Sequence, residues 1–307
     1  MNKLAIVIPY YKIDFFEETL QSVAAQTNKN FTLYIGNDAS PNSPLPLIQK
    51  YFKESDYKYF YYEENLGGKN LAMQWERILE NVNEEWFQIL GDDDMIADNF
   101  VHEFHSIIQT LVSENASVLR VNRFTVDDHN KLISEDLLKE GLLKSTDLFE
   151  MGSYGKTTTS LSEFIFRLGD YHQFKFDKIP LAWGTDVLAF LKFSGFRNIF
   201  INNNSFVNVK VTTKSITGNS SDLLQVKEDA FNVFREIILN QYSKHFKKKF
   251  IDKLVRDYLE YCWKTHKKPH LNLASIFLKK MDFLSFIKKN ITLFKINNRN
   301  KKFNDGR

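Results

Sequence analysis

The sequence predicts an α/β fold, a mostly parallel central sheet flanked by helices, followed by a helical C-terminal extension. Three observations predict it. Short apolar or aromatic runs at residues 4–8, 31–35, 58–62 and 86–90 alternate with helix signals, as strands joined by crossover helices do. Each of these runs ends in polar loop residues. From about residue 221 the strand pattern gives way to helices rich in Phe, Leu, Ile and Lys.

Taken in order, Leu4 to Ile8 form an all-apolar strand ending at Pro9, and Asp14 with Glu17 offers a capping box for a helix with Phe16, Leu20, Val23 and Ala24 on one face. The strand Phe31 to Ile35 runs into a Pro- and Ser-rich loop, Asn37 to Pro46. The strand Lys58 to Tyr62 runs into Asn65-Leu66-Gly67-Gly68, a turn sequence suited to positive φ. A helix from about Lys69 to Val82, the strand 86–90, and a helix near Asn99 to Val112 follow. Asp127-Asp128-His129-Asn130 reads as a hairpin turn, and Gly152, Gly155 and Thr157 to Ser160 as a mobile loop between the halves. The expected division is 1–125, 126–220 and 221–307, the first two being halves of one domain.

A chain of 307 residues with 43% apolar content can bury a substantial core. The single cysteine, Cys262, excludes an intrachain disulfide and a CxxC zinc site, which suits a reducing cytoplasm. Leu4 to Ile8 is too short for a signal-peptide core, and no apolar run approaches the roughly 20 residues of a spanning helix. A cytoplasmic protein is therefore expected. The net charge of +3 conceals an asymmetry: residues 241–307 hold 18 Lys and Arg against 5 Asp and Glu, leaving 23 against 33 in residues 1–240.

In open α/β sheets ligands bind beyond the carboxyl ends of the strands, where Tyr10, Tyr11, Asp38, Asn65 and the cluster Asp92-Asp93-Asp94 should converge. Two unit charges about 4 Å apart repel by roughly 4 kcal/mol at an effective dielectric near 20. A divalent cation is the natural neighbour for such carboxylates, and Mg²⁺ or Mn²⁺, bound by oxygen, implies a ligand with phosphates. The bland alternative is a solvated turn, with Asp98 capping the next helix.

The order Ile8-Pro9-Tyr10-Tyr11, Asn37-Asp38-Ala39-Ser40, Asn65-Leu66-Gly67 and Leu90-Gly91-Asp92-Asp93-Asp94 resembles the nucleotide-binding half of family 2 glycosyltransferases of the GT-A fold. The resemblance implies that Pro9 and Tyr11 lie beside the base, Asp38 accepts a hydrogen bond from it, and Asn65 and Gly67 belong to the donor site. It also implies that Asp92 faces the ribose, Asp93 ligates the cation and Asp94 is a second candidate ligand. Gly91 stands where many relatives carry an Asp, and Asn37 where they often do. Lys69-Asn70 stands in place of an Arg-Asn pair, so Lys69 would meet the diphosphate as a point charge.

Further along, Trp183-Gly184-Thr185-Asp186 looks like the family's Glu-Asp segment with Thr185 replacing Glu. The resemblance makes Asp186 the catalytic base and offers Trp183 as a stacking face for an acceptor sugar; a capping Asp and a buried Trp are the plain readings. Val209-Lys210-Val211 and Ser215-Ile216-Thr217 resemble the region that folds over the diphosphate, with Lys210 as cationic contact or simply a solvated strand-end lysine. The implied function is inverting transfer of a sugar from a nucleotide donor, UDP-linked, to a saccharide or lipid-linked saccharide in cell-surface polysaccharide synthesis.

The basic tail interleaves Lys247-Lys248-Lys249, Lys279-Lys280 and Lys288-Lys289 with Phe277, Phe283, Phe286 and Ile287. Such segments can lie on an anionic membrane surface, which would place the protein at the periphery of the inner membrane face, or form a solvated cap. No nucleic-acid module accompanies the charge, so no nucleic-acid partner is expected. Two other classes compete. A sugar-1-phosphate nucleotidyltransferase would open with a Gly-rich loop, and residues 8–14 contain no Gly. A non-catalytic membrane- or polyanion-binding protein would leave the aspartates idle.

Overall fold

The computed structural model describes residues 3–212, 215, 218, 223–277 and 283–305; Ile216, Thr217, Lys279 and Lys280 of the segments above lie outside these. The chain divides into two compact units, residues 1–224 and 225–307.

The first unit is built on β1 (Leu4–Tyr10), β2 (Phe31–Asp38), β3 (Tyr57–Tyr62) and β4 (Trp86–Ile89), which lie parallel in the order β3-β2-β1-β4. Leu4 to Ile8 are fully buried, which is why this run is apolar on both faces rather than alternating. Leu4, Ile6 and Ile8 join one core with Phe16 and Leu20 of α1 (Phe16–Ala24), Ile48 of α2 (Leu45–Tyr51) and Phe100 and Phe104 of α4 (Phe100–Ser113). Against the other face lies α3 (Leu71–Leu79), capped by Asn70, whose side chain accepts from the Ala72 amide at 3.0 Å and donates to the Ile179 carbonyl. The Asp14/Glu17 capping box does not form. The residue flanking α1 is Phe15, and the Glu17 carboxylate instead accepts from Lys50 at 2.6 Å and the Tyr51 hydroxyl at 2.7 Å, fastening α1 to α2.

Beyond β4 the sheet becomes mixed. Short β5 (Met95–Ile96), β6 (Val118–Val126), β7 (Leu132–Asp136), β8 (Gly141–Lys144), β9 (Phe164–Arg167) and the 13-residue β10 (Asn198–Lys210) complete ten strands. β9 runs antiparallel between β4 and β6, while β10 lies parallel to β6. Asp127 to Asn130 do turn between β6 and β7, the Asp127 carboxylate accepting from the His129 and Lys131 amides. Three helices of this half, α5 (Ser145–Ser153), α6 (Leu168–Phe174) and α7 (Thr185–Phe193), surround β8 and β9.

The second unit holds α8 (Leu224–Ile237), continued by a π-helical turn (Ile238–Tyr242), α9 (Lys248–Thr265), α10 (Leu273–Phe277) and α11 (Phe283–Asp305). Its core contains Phe234, Leu239, Phe250, Leu254, Tyr258, Ile276 and Ile296, with Cys262 buried among them. Among the described residues, no helix is long and apolar enough to cross a membrane.

One glycine sets how closely α3 approaches the sheet. A Cβ at Gly36 in β2 would lie 2.4 Å from two side-chain carbons of Ile78, which is itself fully buried and cannot swing aside. Gly36→Ala should cost roughly 1–3 kcal/mol by overpacking. Urea unfolding measures this directly, and an unchanged midpoint would mean that the helix shifts without penalty.

Candidate functional site

The parallel strands deliver their last residues to an open cleft of about 480 Å³. Pro9 near the end of β1 and Tyr11 just after it, Asp38 at the end of β2, Asn65 and Gly67 before α3, Asp92, Asp93 and Asp94 after β4, and Lys210 at the end of β10 all line it. Its remaining wall includes Leu71, Gln74 and Trp75 of α3 and Ser160 to Ser162 before β9.

The three aspartates do different things. One oxygen of Asp92 accepts from the backbone amides of both Tyr11 and Lys12 at 2.7 Å, which fixes the loop after β1. Asp94 is buried; one oxygen accepts from the Lys210 amide at 2.9 Å and the other from the Ser162 hydroxyl. Asp93, between them, accepts only from its own backbone amide among the described residues and lies on the cleft wall. Burial, then mutual repulsion, pushes the Asp93 and Asp94 carboxyls up to about 7; burial pushes Asp92 up to about 6 against the pull of its two amide donors. Gly91 makes the crowding feasible, since a Cβ there would meet Asp94 Oδ2 at 2.8 Å and Asp93 Oδ1 at 3.1 Å.

A second buried carboxylate organises the opposite side. Asp38 accepts from the Leu66 amide at 2.8 Å and the Gly67 amide at 2.7 Å, and is ion-paired with Arg77 of α3. Gly67 is required by that approach, because a Cβ would lie 2.6 Å from Asp38 Oδ2. Asn37, also buried, accepts from the Ser40 amide at 2.9 Å, and the Ser40 hydroxyl donates to the Tyr11 carbonyl, so the loops after β1 and β2 are joined. Asn65 accepts from the Gly68 amide and shapes the turn before α3. Lys210 is buried, donates from Nζ to Glu18, and lies 4.1 Å from the Phe15 ring centroid.

A match to the model of glycosyl transferase family 2 covers residues 5–200, which includes every residue so far placed on the cleft except Lys210. The chain belongs to this family. Among relatives, Glycosyltransferase GlyA of Streptococcus pneumoniae is 22% identical over 154 residues, 48% of this chain and 21% of that protein. Teichoic acid poly(glycerol phosphate) polymerase of Staphylococcus epidermidis is 31% identical over 103 residues, 32% of this chain and 14% of that one. The chain thus spans only a small part of either relative's length. The crystal structure of S. aureus TarS 1-349 in complex with UDP-GlcNAc superposes with a TM-score of 0.62 at 15% identity, over 99% of this chain and 92% of that one. At that identity the likeness establishes the fold, which is GT-A.

Three residues that the family resemblance singles out are not on the cleft wall. The Lys69 side chain is 65% exposed and is paired with Glu64. Trp183 is half-buried beside the left-handed Gly184 that precedes α7. Asp186, in the first turn of α7, accepts from the Thr159 hydroxyl at 2.7 Å, one residue before Ser160 on the wall. Burial raises its carboxyl to about 6, with the Glu163 charge adding to the effect.

The run Thr157 to Ser160 is not a loose loop. Glu163, fully buried, accepts from the Ser160 amide through both carboxylate oxygens at 3.0 Å and pairs with Arg120 and Arg123; Arg123 also donates to Thr158 at 2.6 Å and reaches Asp136. Buried charges of this kind are tolerated only when paired. The segment thereby carries two fasteners at fixed spacing, Thr159 on Asp186 and Ser162 on Asp94. Sequence reasoning missed Arg77, Ser162, Glu163 and the α3 wall; only the partners they meet in space distinguish them from ordinary helix and strand residues.

The raised Asp186 carboxyl has a stability consequence. Between the unfolded value of 3.8 and about 6 the folded state binds the extra proton, so stability falls as pH rises through that window and stays lower above it. Asp186→Asn escapes this loss while keeping an acceptor for Thr159. It should therefore be more stable than the parent at pH 8, by on the order of 2 kcal/mol, and nearly equal at pH 4. Denaturant unfolding at both pH values tests this, and equal stability at pH 8 refutes it.

Proposed function

We propose that the chain is an inverting glycosyltransferase that moves a sugar from a UDP-linked donor to a hydroxyl of a saccharide or lipid-linked saccharide, in the synthesis of a cell-surface polymer. One observation carries the reading: in a chain of this family, the ends of β4 and β10 bring Asp92, Asp93, Asp94 and Lys210 to one open cleft, beside Pro9, Tyr11 and Asp38 from the ends of β1 and β2. The UDP-bound and UDP-GlcNAc-bound TarS structures, and the teichoic acid polymerase among the relatives, support the donor class and the polymer setting.

The donor set suits a hard divalent cation. Among the described residues no three acidic, His or Cys side chains form a ready-made cage, so carboxylate, diphosphate and water oxygens would share the coordination. Asp93 would hold Mg²⁺ or Mn²⁺, with Asp94 beside it; the ion would neutralise the charge developing on the departing nucleoside diphosphate. Asp92 and Asp94 also hold the loop and strand ends in place, and Lys210 adds a buried positive charge close to the cluster. Asp38 secures the turn of Asn65 to Gly67 and would accept from the base on the remaining lone pair of Oδ2, while Pro9 and Tyr11 supply the surface beside the base. Lys69 has no donor role in this scheme.

Transfer needs one proton removed. In this reading Asp186 takes it from the acceptor hydroxyl, whose oxygen bonds to the anomeric carbon as the bond to the donor phosphate breaks and UDP departs. Trp183, close by in sequence, offers the face for the acceptor sugar. A base whose carboxyl sits near 6 is ionised at neutral pH and lost below it.

Incubation with UDP-sugars and Mn²⁺ should release UDP in an acceptor-dependent way; no release across a panel of nucleotide sugars would remove the proposal. Asp93→Ala should abolish the metal-dependent part of donor binding in calorimetry, and affinity that responds to metal as in the parent would dismiss Asp93 as ligand. Asp186→Asn should bind donor normally yet lose roughly two orders of magnitude or more in turnover. In the parent, turnover should decline as pH falls through about 6. Near-normal turnover of the variant would assign the proton transfer to another group.

A further inference from the structure

The last helix of the second unit has two apolar faces. One is satisfied: Ile296 is buried, Asn300 donates to the Lys267 carbonyl at 2.8 Å, and the Arg299 guanidinium stacks 4.0 Å from the Trp263 ring centroid while donating to the Trp263 carbonyl. The other is bare. Leu284, Ile287, Ile291 and Phe294 are 72%, 55%, 52% and 66% exposed. Their spacing of three, four and three residues places all four on one stripe of α11, about 15 Å long. Single exposed apolar residues are unremarkable, but an aligned row of four this large marks a contact surface.

Flanking charge identifies what the surface meets. Lys288 and Lys295, one residue beyond Ile287 and Phe294, run along one side of the stripe, and Lys301 continues beyond its end; all three are exposed. Along the other side, positions 290 and 297 are Asn, and Asp305 is the only acidic residue between 283 and 305. The same spacing would suit a coiled coil with a second copy. A second copy, however, would bring lysines and asparagines to these lysines and no carboxylate, so like charges would face each other without compensation. A bilayer supplies both missing parts, an apolar interior for the stripe and anionic headgroups for the lysines.

We propose that α11 is a membrane-surface helix, lying in the interface of an anionic bilayer with Leu284, Ile287, Ile291 and Phe294 inserted and Lys288, Lys295 and Lys301 on lipid phosphates. This is independent of the transfer chemistry: a soluble donor and acceptor would be handled alike with or without vesicles.

The full chain should co-sediment with vesicles of phosphatidylglycerol and phosphatidylcholine, far less with phosphatidylcholine alone, and less as salt rises. Ile287→Ser with Phe294→Ser should weaken partitioning roughly tenfold or more, and Lys288→Glu with Lys295→Glu should do so to a similar degree on the anionic vesicles only. All four sites are exposed, so helix content by circular dichroism should stay at the parent value. Equal sedimentation of parent and variants, or equal binding to neutral and anionic vesicles, overturns the proposal. So does a self-association in sedimentation velocity that the serine variant abolishes without any vesicle binding, which would assign the stripe to a second copy. Saturable capture of an acidic peptide with no vesicle binding would overturn it as well.

Discussion

Three carboxylates crowded at the end of one strand would fly apart unless something used them, and in this fold two of the three are used by the protein itself. Asp92 receives two amides of the loop after β1, and Asp94 receives an amide from β10 and a hydroxyl from the segment before β9. Three separate chain segments are thus drawn to the end of β4 by charge-assisted hydrogen bonds, which are stronger than neutral ones. The repulsion is the same force that leaves Asp93 poised: its neighbours are held down by donors, and its own raised carboxyl has no donor from another residue among those described. A cluster that reads as one ribose contact and two candidate ligands also fastens the fold through two of its members, Asp92 and Asp94.

The same device recurs at the end of β2. Asp38 binds successive amides of the turn before α3, as Asp92 binds successive amides of the loop after β1, and Arg77 closes the pair from the helix that follows. Across the cleft, Glu163 binds the Ser160 amide with both oxygens and is itself held by Arg120 and Arg123. Every wall of the cleft is therefore set by a carboxylate gripping backbone amides. Such a wall has little freedom to rearrange, because releasing any one of these groups leaves an unpaired buried charge or amide. Preorganisation of this kind is what stabilises developing charge without reorganisation at the moment of reaction.

Strands such as Leu4 to Ile8 were legible because burial on both faces writes itself as uninterrupted apolar sequence. The cleft was legible because polar residues at the ends of parallel strands have few other reasons to be there, and Pro9, Tyr11, Asn65 and the aspartates do line it. What failed was the assignment of individual partners. Asp14 and Glu17 have the spacing of a capping box, yet Glu17 is drawn away by Lys50 and Tyr51 from the neighbouring helix. Thr157 to Ser160 have the composition of a loose loop, yet Arg123 and Glu163, far from them or hidden beside them in sequence, hold them rigid. Lys69 stands in the right place along the chain, but its exposed ammonium pairs with Glu64. In each case the residue type was informative and the tertiary partner was not encoded locally.

Gly91 shows how a departure from a family pattern can be a consequence of geometry rather than a loss. Its Cα lies so near the two following carboxylates that a Cβ would meet Asp94 Oδ2 at 2.8 Å and Asp93 Oδ1 at 3.1 Å. An aspartate at 91 would thus have to push both aside and would add a fourth negative charge to a group already titrating near neutrality. Without a Cβ at 91, Asp94 keeps its bonds to the Ser162 hydroxyl and the Lys210 amide while Asp93 lines the cleft. Asp92, the first acidic residue after β4, turns its carboxylate to the amides of the loop after β1. A site with this arrangement keeps the fasteners and the cleft-lining carboxylate on three consecutive residues, so a one-residue insertion or deletion between 91 and 94 would uncouple the cleft wall from that carboxylate.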